Sequence, residues 1–414
     1  MNVYLHSLGC RLNQSELEEW ARQLTVAGYH IVDDAARADV GIVNTCAVTQ
    51  EAERKSRRSV RSLSRANPEI RIAVVGCYAT LAPRRCADLP GVDWVIPNDE
   101  KERTMDVVAP PLHLASAGPD LLPWRTRAFV KVQDGCDNHC TYCIVRLLRG
   151  PSRSRPVSDI VAQVQARVEE GCQEVVLTGV NLGAYGREWG EERGLYRLVN
   201  VLLAQTDLPR LRLSSLEPWD LDVSFFALWE NPRLCRQLHI PLQAGCDETL
   251  RRMGRQVTTA EFASLVAAAR AGVPDLAVTT DLIVGFPGED EAAFRASYEY
   301  VAEIGFARLH VFPYSPRPGT PAARLSDQVA RGVQAERARA MRSLGADLAR
   351  CFRRRFVGRD MVVLWEQQRE GLWTGLTDNY LRVVTRAEGN LHNHLTLTYL
   401  VGARNGVLVG EVLS

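Results

Sequence analysis

The sequence predicts an α/β protein in three parts: an N-terminal open parallel α/β domain, a central partial (β/α)6 barrel and a small C-terminal antiparallel β-barrel. Three observations predict this class. Apolar strands alternate with amphipathic helices over residues 1–100 and again over 127–350. Residues 101–126 are rich in Pro, Ala and small residues without periodicity, which is typical of a linker. Residues 356–414 form short alternating runs separated by turn signals.

Composition limits the class of protein. The chain has 414 residues, of which 46% are hydrophobic and 24% charged, as expected of a globular protein with several domains. The net charge of +1 gives no overall attraction to nucleic acid, so RNA contacts require local basic patches. No apolar run is long enough to cross a bilayer, and the start MNVYLHSLGC lacks the features of a secretion signal. We therefore expect a cytoplasmic monomer without membrane contact, whose 11 cysteines serve metal or redox chemistry.

In the first domain, a cysteine follows each predicted strand. The strands are expected at residues 3–8, 40–44 and 72–76, and they are followed by Cys10, Cys46 and Cys77. Helices are expected at 14–27 and 49–66, the second with a strongly basic side. Because the carboxyl ends of parallel strands meet at one edge of a sheet, we expect the three cysteines to lie together. The alternative is three ordinary buried cysteines, and Cys86 is left out because it lies inside a predicted helix and does not follow a strand.

A second cysteine group stands in the segment VKVQDGCDNHCTYCIV. Cys136, Cys140 and Cys143 have the spacing C-x3-C-x2-C. Three thiolates so close together can bind three irons of a cubane iron–sulfur cluster and leave the fourth iron open to a small molecule. The alternative is a zinc site with His139 as fourth ligand, but His139 adjoins Cys140, where simultaneous ligation would be strained.

With Tyr142 before its last cysteine, this spacing resembles the signature of radical S-adenosylmethionine (SAM) enzymes. The resemblance implies a [4Fe–4S] cluster whose open iron chelates SAM, and backbone beside Tyr142 that contacts the adenine. It also implies a reductant such as flavodoxin or ferredoxin. The chain departs from the family pattern at Arg146, where a proline is expected. The cofactor carries the radical chemistry, and the protein supplies position and a dry pocket.

The loops after the predicted barrel strands resemble further motifs of this family. Strands are expected at 128–132, 174–178, 210–213, 237–240, 277–283 and 308–311. Chemistry in such barrels lies on the loops at the carboxyl ends of the strands. In those loops the resemblance implies SAM contacts from Gly179, Asn181, Ser214, Glu217, Gln243, Arg255 and Gly285.

The N-terminal cysteine loops SLGCRLNQSELE, VNTCAVTQEAERKSRR and VVGCYAT resemble those of the radical SAM methylthiotransferases. The resemblance implies that Cys10, Cys46 and Cys77 bind a second [4Fe–4S] cluster. The pattern LGC-x-x-NQ resembles the branch that acts on N6-threonylcarbamoyladenosine in tRNA. The implied function is addition of a methylthio group to C2 of this nucleoside at position 37, in the anticodon loop.

Two groups of residues are candidate RNA contacts. Arg146, Arg149 and Arg153 follow the second cysteine group and are suited to phosphate contact, although they equally fit a solvated turn. The C-terminal barrel resembles the RNA-binding TRAM domain, in which Trp373, Tyr380 and Arg382 would stack on bases or hold phosphates, with Trp365 in the core.

Other functions stay open at this point. The substrate could be isopentenyladenosine in tRNA or a ribosomal protein, because the same chemistry serves both. A non-enzymatic iron–sulfur protein that binds RNA is the alternative from another class. A cluster with an open iron is an odd choice for a purely structural role, which favours the enzyme.

Overall fold

The computed structural model describes residues 1–109 and 126–413, which divide into two compact units. Within the described residues, the first unit contains residues 1–109, 134–153 and 315–323. The second contains residues 126–133, 154–314 and 324–413. The segment with the second cysteine group therefore belongs to the same unit as the N-terminal cysteines, and not to the unit that holds the barrel strands.

The first unit is built on a five-stranded parallel sheet with strand order β2-β1-β3-β4-β5. This confirms the predicted open parallel α/β fold. Two short edge strands, β2 and β5, were not predicted. The strands are β1 (Asn2–Ser7), β2 (His30–Val32), β3 (Val40–Thr45), β4 (Arg71–Gly76) and β5 (Val92–Ile96). The helices are α1 (Arg11–Val26), α2 (Gln50–Ala66), α3 (Cys77–Leu81), α4 (Pro83–Ala87), α5 (Thr104–Val108) and α6 (Val145–Arg149).

Part of the expected linker is structured and packs in the first unit. Lys101 is buried, and its Nζ forms an ion pair with the buried Glu16. Thr104 and Val108, in α5, are buried as well. The prediction of a linker was therefore wrong for residues 101–109, because the buried side chains of Lys101, Thr104 and Val108 anchor this segment. Residues 110–125 of the expected linker lie outside the described part of the chain.

The second unit contains six parallel strands in chain order. Two three-stranded sheets have the orders β10-β9-β6 and β11-β12-β13, and single bridges between Leu211 and Leu234 and between Ser215 and His239 connect them. The six strands therefore follow one another in a continuous parallel arrangement, as predicted for a partial barrel. They are β6 (Arg127–Lys131), β9 (Glu174–Thr178), β10 (Arg210–Leu213), β11 (Gln237–His239), β12 (Ala277–Val284) and β13 (Arg308–Pro313). Two-residue strands β7 (Gln133–Asp134) and β8 (Arg153–Ser154) lie where the chain passes between units.

Helices cover the apolar side of this arrangement, because each presents one hydrophobic face to it. Leu198 and Leu202, one turn apart on a helix, join Val175 and Leu177 of β9 in the same buried core. The helices are α7 (Val157–Glu169), α8 (Gly194–Gln205), α9 (Asp247–Arg252), α10 (Thr259–Gly272), α11 (Glu291–Ile304) and α12 (Arg331–Arg354). None of the helices in the described part of the chain is long and apolar enough to cross a bilayer.

The end of the chain forms a closed five-stranded barrel of order β14-β15-β16-β18-β17. Its neighbouring strands are antiparallel, as predicted, except that β16 and β18 are parallel. Trp365 is fully buried in its core. The strands are β14 (Asp360–Arg369), β15 (Leu372–Thr377), β16 (Arg382–Thr385), β17 (Leu395–Arg404) and β18 (Val407–Val412).

Arginines fix this barrel to the parallel strands of the second unit. Arg212 donates to the backbone carbonyl of Asp378 at 2.8 Å, and Arg210 donates to that of Val362 at 2.7 Å. Arg236 donates to the Asp378 carboxylate at 2.6 Å. These charge-assisted bonds restrict the barrel to one position on the sheet, since a guanidinium offers several donors in a fixed plane.

Candidate cluster and cofactor sites

Cys10, Cys46 and Cys77 follow three neighbouring strands of the first sheet. β1, β3 and β4 are adjacent, with Thr45 paired to Gly76 at the carboxyl end of the register. Cys46 directly follows β3, Cys77 begins α3, and Cys10 is the N-cap residue of α1. Because neighbouring strands lie about 4.8 Å apart, the three cysteines share one edge of the sheet. The strand–loop–cysteine pattern predicted this placement.

The loops of Cys10 and Cys46 lie in close contact, and the thiols in them are in surroundings that raise their pKa values. A Cβ on Gly9, whose φ is +95°, would lie 2.7 Å from the Sγ of Cys46, so only glycine fits there. Burial raises the pKa of the Cys46 thiol to about 12, and negative charge on Cys77 and Cys10 adds to the rise. Protein atoms also surround the thiol of Cys10 closely enough to raise its pKa, although the residue is exposed. Thiolates that repel one another in this way gain from a bound cationic centre.

The donor chemistry fits an iron–sulfur cluster. Across residues 1–109 and 126–413, no three histidine, cysteine or carboxylate side chains already stand in metal-binding geometry. What the first unit does provide is two groups of three thiols, and thiolates are the usual protein ligands of such clusters. At the second group, the guanidinium of Arg146 lies 2.7 Å from Nδ1 of His139. A cation on that ring argues against His139 as the fourth ligand of a zinc ion.

Backbone hydrogen bonds within the segment of Cys136, Cys140 and Cys143 hold it in a folded loop. The N–H of Cys136 donates to the carbonyl of Gly150 at 3.1 Å, and that of Cys143 donates to the carbonyl of Cys140 at 3.1 Å. The N–H of Val145 reaches the Sγ of Cys143 at 3.5 Å. All three cysteines are half-buried. The segment is therefore a folded loop, fixed by backbone hydrogen bonds, whose three cysteines are only partly buried.

Arg149 corrects one prediction. It was expected to contact RNA, but its side chain is only 3% exposed and cannot reach a partner outside the unit. Its guanidinium donates to Asn13 Oδ1 at 2.6 Å, to Asp134 Oδ1 at 2.8 Å and to Glu16 Oε1 at 3.3 Å. Asn13 lies three residues after Cys10, and Arg149 lies six residues after Cys143. Arg149 therefore ties the two cysteine segments together.

Two buried asparagines hold the N-terminal cysteine loops. Asn13 donates to the carbonyls of Leu8 and Thr45, at 2.8 and 3.0 Å, and so bridges the loops of Cys10 and Cys46. Asn98 donates to the Sγ of Cys77 at 3.6 Å and to the carbonyl of Leu148 at 2.9 Å. Sequence reasoning missed both. Asn13 stands in the quoted LGC-x-x-NQ pattern, whereas Asn98 has no distinguishing signal.

Several predicted cofactor residues of the second unit lie at the carboxyl ends of its strands. The side-chain oxygens Oδ1 of Asn181 and Oγ of Ser214 are buried, and neither has a hydrogen-bond partner among the described residues. Gln133 accepts from the N–H of Asn181 at 2.9 Å, and it leaves no room for a Cβ on Gly179. Since buried polar atoms normally have partners, these two oxygens fit a polar ligand such as SAM.

Arg255 and Glu217 form a pair. Arg255 donates to Glu217 Oε2 at 2.6 Å and to the carbonyl of Pro241 at 2.5 Å, and its guanidinium lies 4.5 Å from the ring centre of Trp219. The positive charge of Arg255, a predicted SAM contact, is thus already balanced by the carboxylate of Glu217. The pair presents a fixed donor and acceptor rather than a free cation.

Two further predicted residues have unusual backbones. Gln243 has a φ of +78°, which is uncommon for a non-glycine residue and is held by two backbone hydrogen bonds of 2.9 Å, with Asp281 and Ile283. Gly285 has a φ of +70°, and a Cβ there would lie 2.4 Å from Cγ of Gln334. Glycine adopts this φ without strain, whereas the positive φ of Gln243 is strained, and strain of that kind concentrates at binding sites. Tyr142 is half-buried.

The predicted RNA contacts divide into buried and exposed residues. Trp373 is 5% exposed and belongs to the barrel core, so the prediction that it stacks on bases was wrong. Tyr380 is also engaged: its hydroxyl accepts from Arg127 at 3.0 Å, and Arg212 lies 4.5 Å from its ring centre. Arg382, Arg146 and Arg153 are exposed and stay candidates.

Two family models match the chain. Residues 2–97 match the model described as "Uncharacterized protein family UPF0004", and residues 130–301 match the radical SAM superfamily. These matches cover the cysteine loops of the first sheet and most of the parallel strands.

Curated relatives match over most of their length. The chain is 38% identical to the threonylcarbamoyladenosine tRNA methylthiotransferase MtaB of Thermotoga maritima, over 92% of this chain and 90% of the relative. It is 36% identical to a tRNA-2-methylthio-N(6)-dimethylallyladenosine synthase of Frankia alni, over 87% of this chain and 76% of the relative.

A solved structure shares the fold. The radical S-adenosylmethionine methyltransferase TsrM of Kitasatospora setae matches with a TM-score of 0.56 and 15% identity, over 78% of this chain and 77% of that one. The family models and the curated relatives show that the chain belongs to the radical SAM methylthiotransferases, on the branch of the MtaB enzymes.

Proposed function

We propose that this enzyme adds a methylthio group to C2 of N6-threonylcarbamoyladenosine at position 37 of tRNA. The observation that carries the proposal is the placement of Cys10, Cys46 and Cys77 at one edge of the sheet, in the same unit as the second cysteine group. An unactivated C–H bond resists acid–base chemistry. Two cysteine groups for one reaction make sense if one serves radical formation and the other serves sulfur.

In this proposal each cysteine group holds one [4Fe–4S] cluster. Cys136, Cys140 and Cys143 hold the cluster that binds SAM, and Cys10, Cys46 and Cys77 hold the second. When bound, the cluster on Cys136, Cys140 and Cys143 would supply the electron that cleaves SAM. The cluster on Cys10, Cys46 and Cys77 would supply the sulfur that is transferred. The chain itself fixes both ligand groups through Arg149, which donates on one side to Asn13 and on the other to Asp134.

The residues proposed for SAM act by binding and orientation. The oxygens of Asn181 and Ser214, which have no partner among the described residues, offer acceptors, and the pair of Arg255 and Glu217 offers one donor and one acceptor with fixed geometry. These groups are preorganised by the fold, so that a bound ligand loses little entropy when it is oriented. Tyr142, Gly179, Gln243 and Gly285 complete the proposed set.

Partners and context follow from the same proposal. The tRNA substrate would contact exposed arginines, with Arg146, Arg153 and Arg382 as candidates. Phosphate contacts of this kind position an RNA and do not read its sequence. We further propose a flavodoxin-like or ferredoxin-like reductant, a monomeric enzyme and a cytoplasmic location.

Dimethylallyladenosine in tRNA stays a second candidate substrate because of one comparison. The relative of Frankia alni carries a name for a dimethylallyladenosine product at 36% identity, close to the 38% of the MtaB relative. Mass spectrometry of nucleosides in tRNA from a deletion strain separates the two. Loss of 2-methylthio-N6-threonylcarbamoyladenosine supports the proposal. Loss of only the methylthiolated dimethylallyl nucleoside, or of no tRNA nucleoside, contradicts it.

A further inference from the structure

We propose that the exposed face of helix α2 is a contact surface for the phosphate backbone of the tRNA substrate. This inference rests on the proposed function and adds the surface along which the RNA would lie. It is carried by the spacing and exposure of four arginines on this helix, by the absence of any ion pair between Arg58 or Arg61 and the described residues, and by the position of the helix next to Cys46.

The arginines form a stripe along one side of the helix. Arg54, Arg58, Arg61 and Arg65 are all exposed, and they are spaced by four, three and four residues. Residues at this spacing lie on one face of an α-helix. At 1.5 Å per residue, the stripe is about 16 Å long. It therefore presents a line of positive charge rather than a single point.

The positive charge of the helix is not balanced locally. α2 has six basic residues and two acidic ones, which gives +4, whereas the whole chain has +1. Glu51 pairs with Arg54, and Glu53 is shared by Arg57 and Arg317. Arg58 and Arg61 form no ion pair with any described residue. A solvated helix face usually carries both signs of charge; this one leaves its central guanidinium groups free.

The stripe begins near a proposed cluster ligand. α2 starts four residues after Cys46, and the hydroxyl of Ser56 both accepts from the N–H of Cys46 at 3.2 Å and donates to its carbonyl at 2.9 Å. The N-terminal half of α2 is thus fixed to the edge of the sheet where the sulfur would be presented. A polyanion whose reacting base reached that edge could continue along the stripe, and arginine is well suited to phosphate.

Binding of tRNA to the reconstituted holoenzyme tests the inference. The probe is tRNA purified from a strain that lacks the enzyme, and the variant is Arg58→Ala/Arg61→Ala. We expect the affinity to fall about tenfold and the slope of log K against log salt to become shallower by about 2, one for each lost contact. The matched control is Arg331→Ala/Arg339→Ala on α12, which removes two exposed arginines that have no partner among the described residues.

The outcomes distinguish this inference from the proposed function. A shallower slope for the α2 variant alone, with unchanged SAM cleavage in the absence of tRNA, supports the α2 surface. An unchanged slope, or an equal change in the α12 control, overturns the α2 surface while wild-type methylthiolation of tRNA still supports the proposed function. Wild-type holoenzyme that neither binds nor methylthiolates tRNA overturns both.

Discussion

Arg149 donates from Nη2 to Oδ1 of Asn13 at 2.6 Å, although the two residues are 136 positions apart. Asn13 in turn bridges the backbone carbonyls of Leu8 and Thr45, on the loops of Cys10 and Cys46. Arg149 closes the helix that follows Cys136, Cys140 and Cys143. A single buried guanidinium thus joins the segments of both cysteine groups.

Replacement of Arg149 by Gln should destabilise the first unit. Glu16 and Asp134 would lose a buried cation, and breaking a buried ion pair typically costs about 3–5 kcal/mol. We expect a lower melting temperature, measured by calorimetry, and a lower iron content after reconstitution. Arg149→Lys should recover part of the stability, because lysine keeps the charge but lacks the planar fork.

The control is Arg153→Gln, which changes an exposed arginine of the same segment. It should leave stability and iron content within error. Equal effects of the two glutamine variants would show that Arg149 does not have the structural role described above.

The pair of Arg212 and Glu174 should make stability depend on pH. Both side chains are fully buried, with N–O distances of 2.7 and 3.0 Å. Burial raises the pKa of Glu174, but the charge of Arg212 and its hydrogen bonds outweigh burial and hold that pKa below its ordinary 4.5. The ionised carboxylate therefore stabilises the fold above that value, and the contribution is lost as pH falls through the lowered pKa.

Glu174→Gln should lower the melting temperature at neutral pH, because Arg212 would stay buried without its counterion. The difference from wild type should shrink as the pH falls below 4.5 and through the lowered pKa of Glu174. Asp347→Asn is the control: it breaks an ion pair with Arg350 in which both side chains are more than half exposed, at 59% and 57%, and should change stability by less than about 1 kcal/mol. A pH-independent difference for Glu174→Gln would contradict this account.

Asn181→Ala and Ser214→Ala should separate ligand binding from stability. Each removes a buried oxygen that has no partner in the described structure. Ser214→Ala should leave the ligand-free protein as stable as wild type or slightly more stable, whereas Asn181→Ala also removes a side-chain hydrogen bond to Asp220 and should cost some stability. The increase in melting temperature caused by SAM should be smaller. In contrast, Thr280→Val removes a hydroxyl that donates to Ile240 at 2.7 Å and should lower stability without changing the SAM effect.

Alanine substitutions in the two cysteine groups should impair different steps of the reaction. Cys140→Ala should abolish 5′-deoxyadenosine formation, whereas Cys46→Ala should preserve it and remove methylthiolation. Cys351→Ala, at an exposed cysteine outside both groups, should affect neither. Product formation by Cys46→Ala would show that the assignment of Cys10, Cys46 and Cys77 to a cluster needed for sulfur transfer is wrong.

The sequence predicted features that follow from local pattern. Cys46 and Cys77 could be placed because apolar strands have a clear signature and the ends of parallel strands converge. Trp365 could be placed in the core for a similar reason. Arg149 could not, because it stands in a run of arginines that look alike, and its partners Asn13 and Glu16 are distant in sequence.

Other errors have the same origin. Trp373 and Arg382 lie on strands whose inward and outward faces alternate, and only the barrel register shows that the tryptophan points inward. Lys101 was assigned to a linker because its burial depends on Glu16, which is 85 residues away. Long-range ion pairs leave no periodic signal in a sequence.

The most direct test of the account is anaerobic quantitation of iron and sulfide per chain, combined with Mössbauer spectroscopy. Two [4Fe–4S] clusters predict about eight irons per wild-type chain and about four in the variant that replaces Cys10, Cys46 and Cys77 with alanine. About four irons in the wild type, with no further loss in that variant, would contradict it.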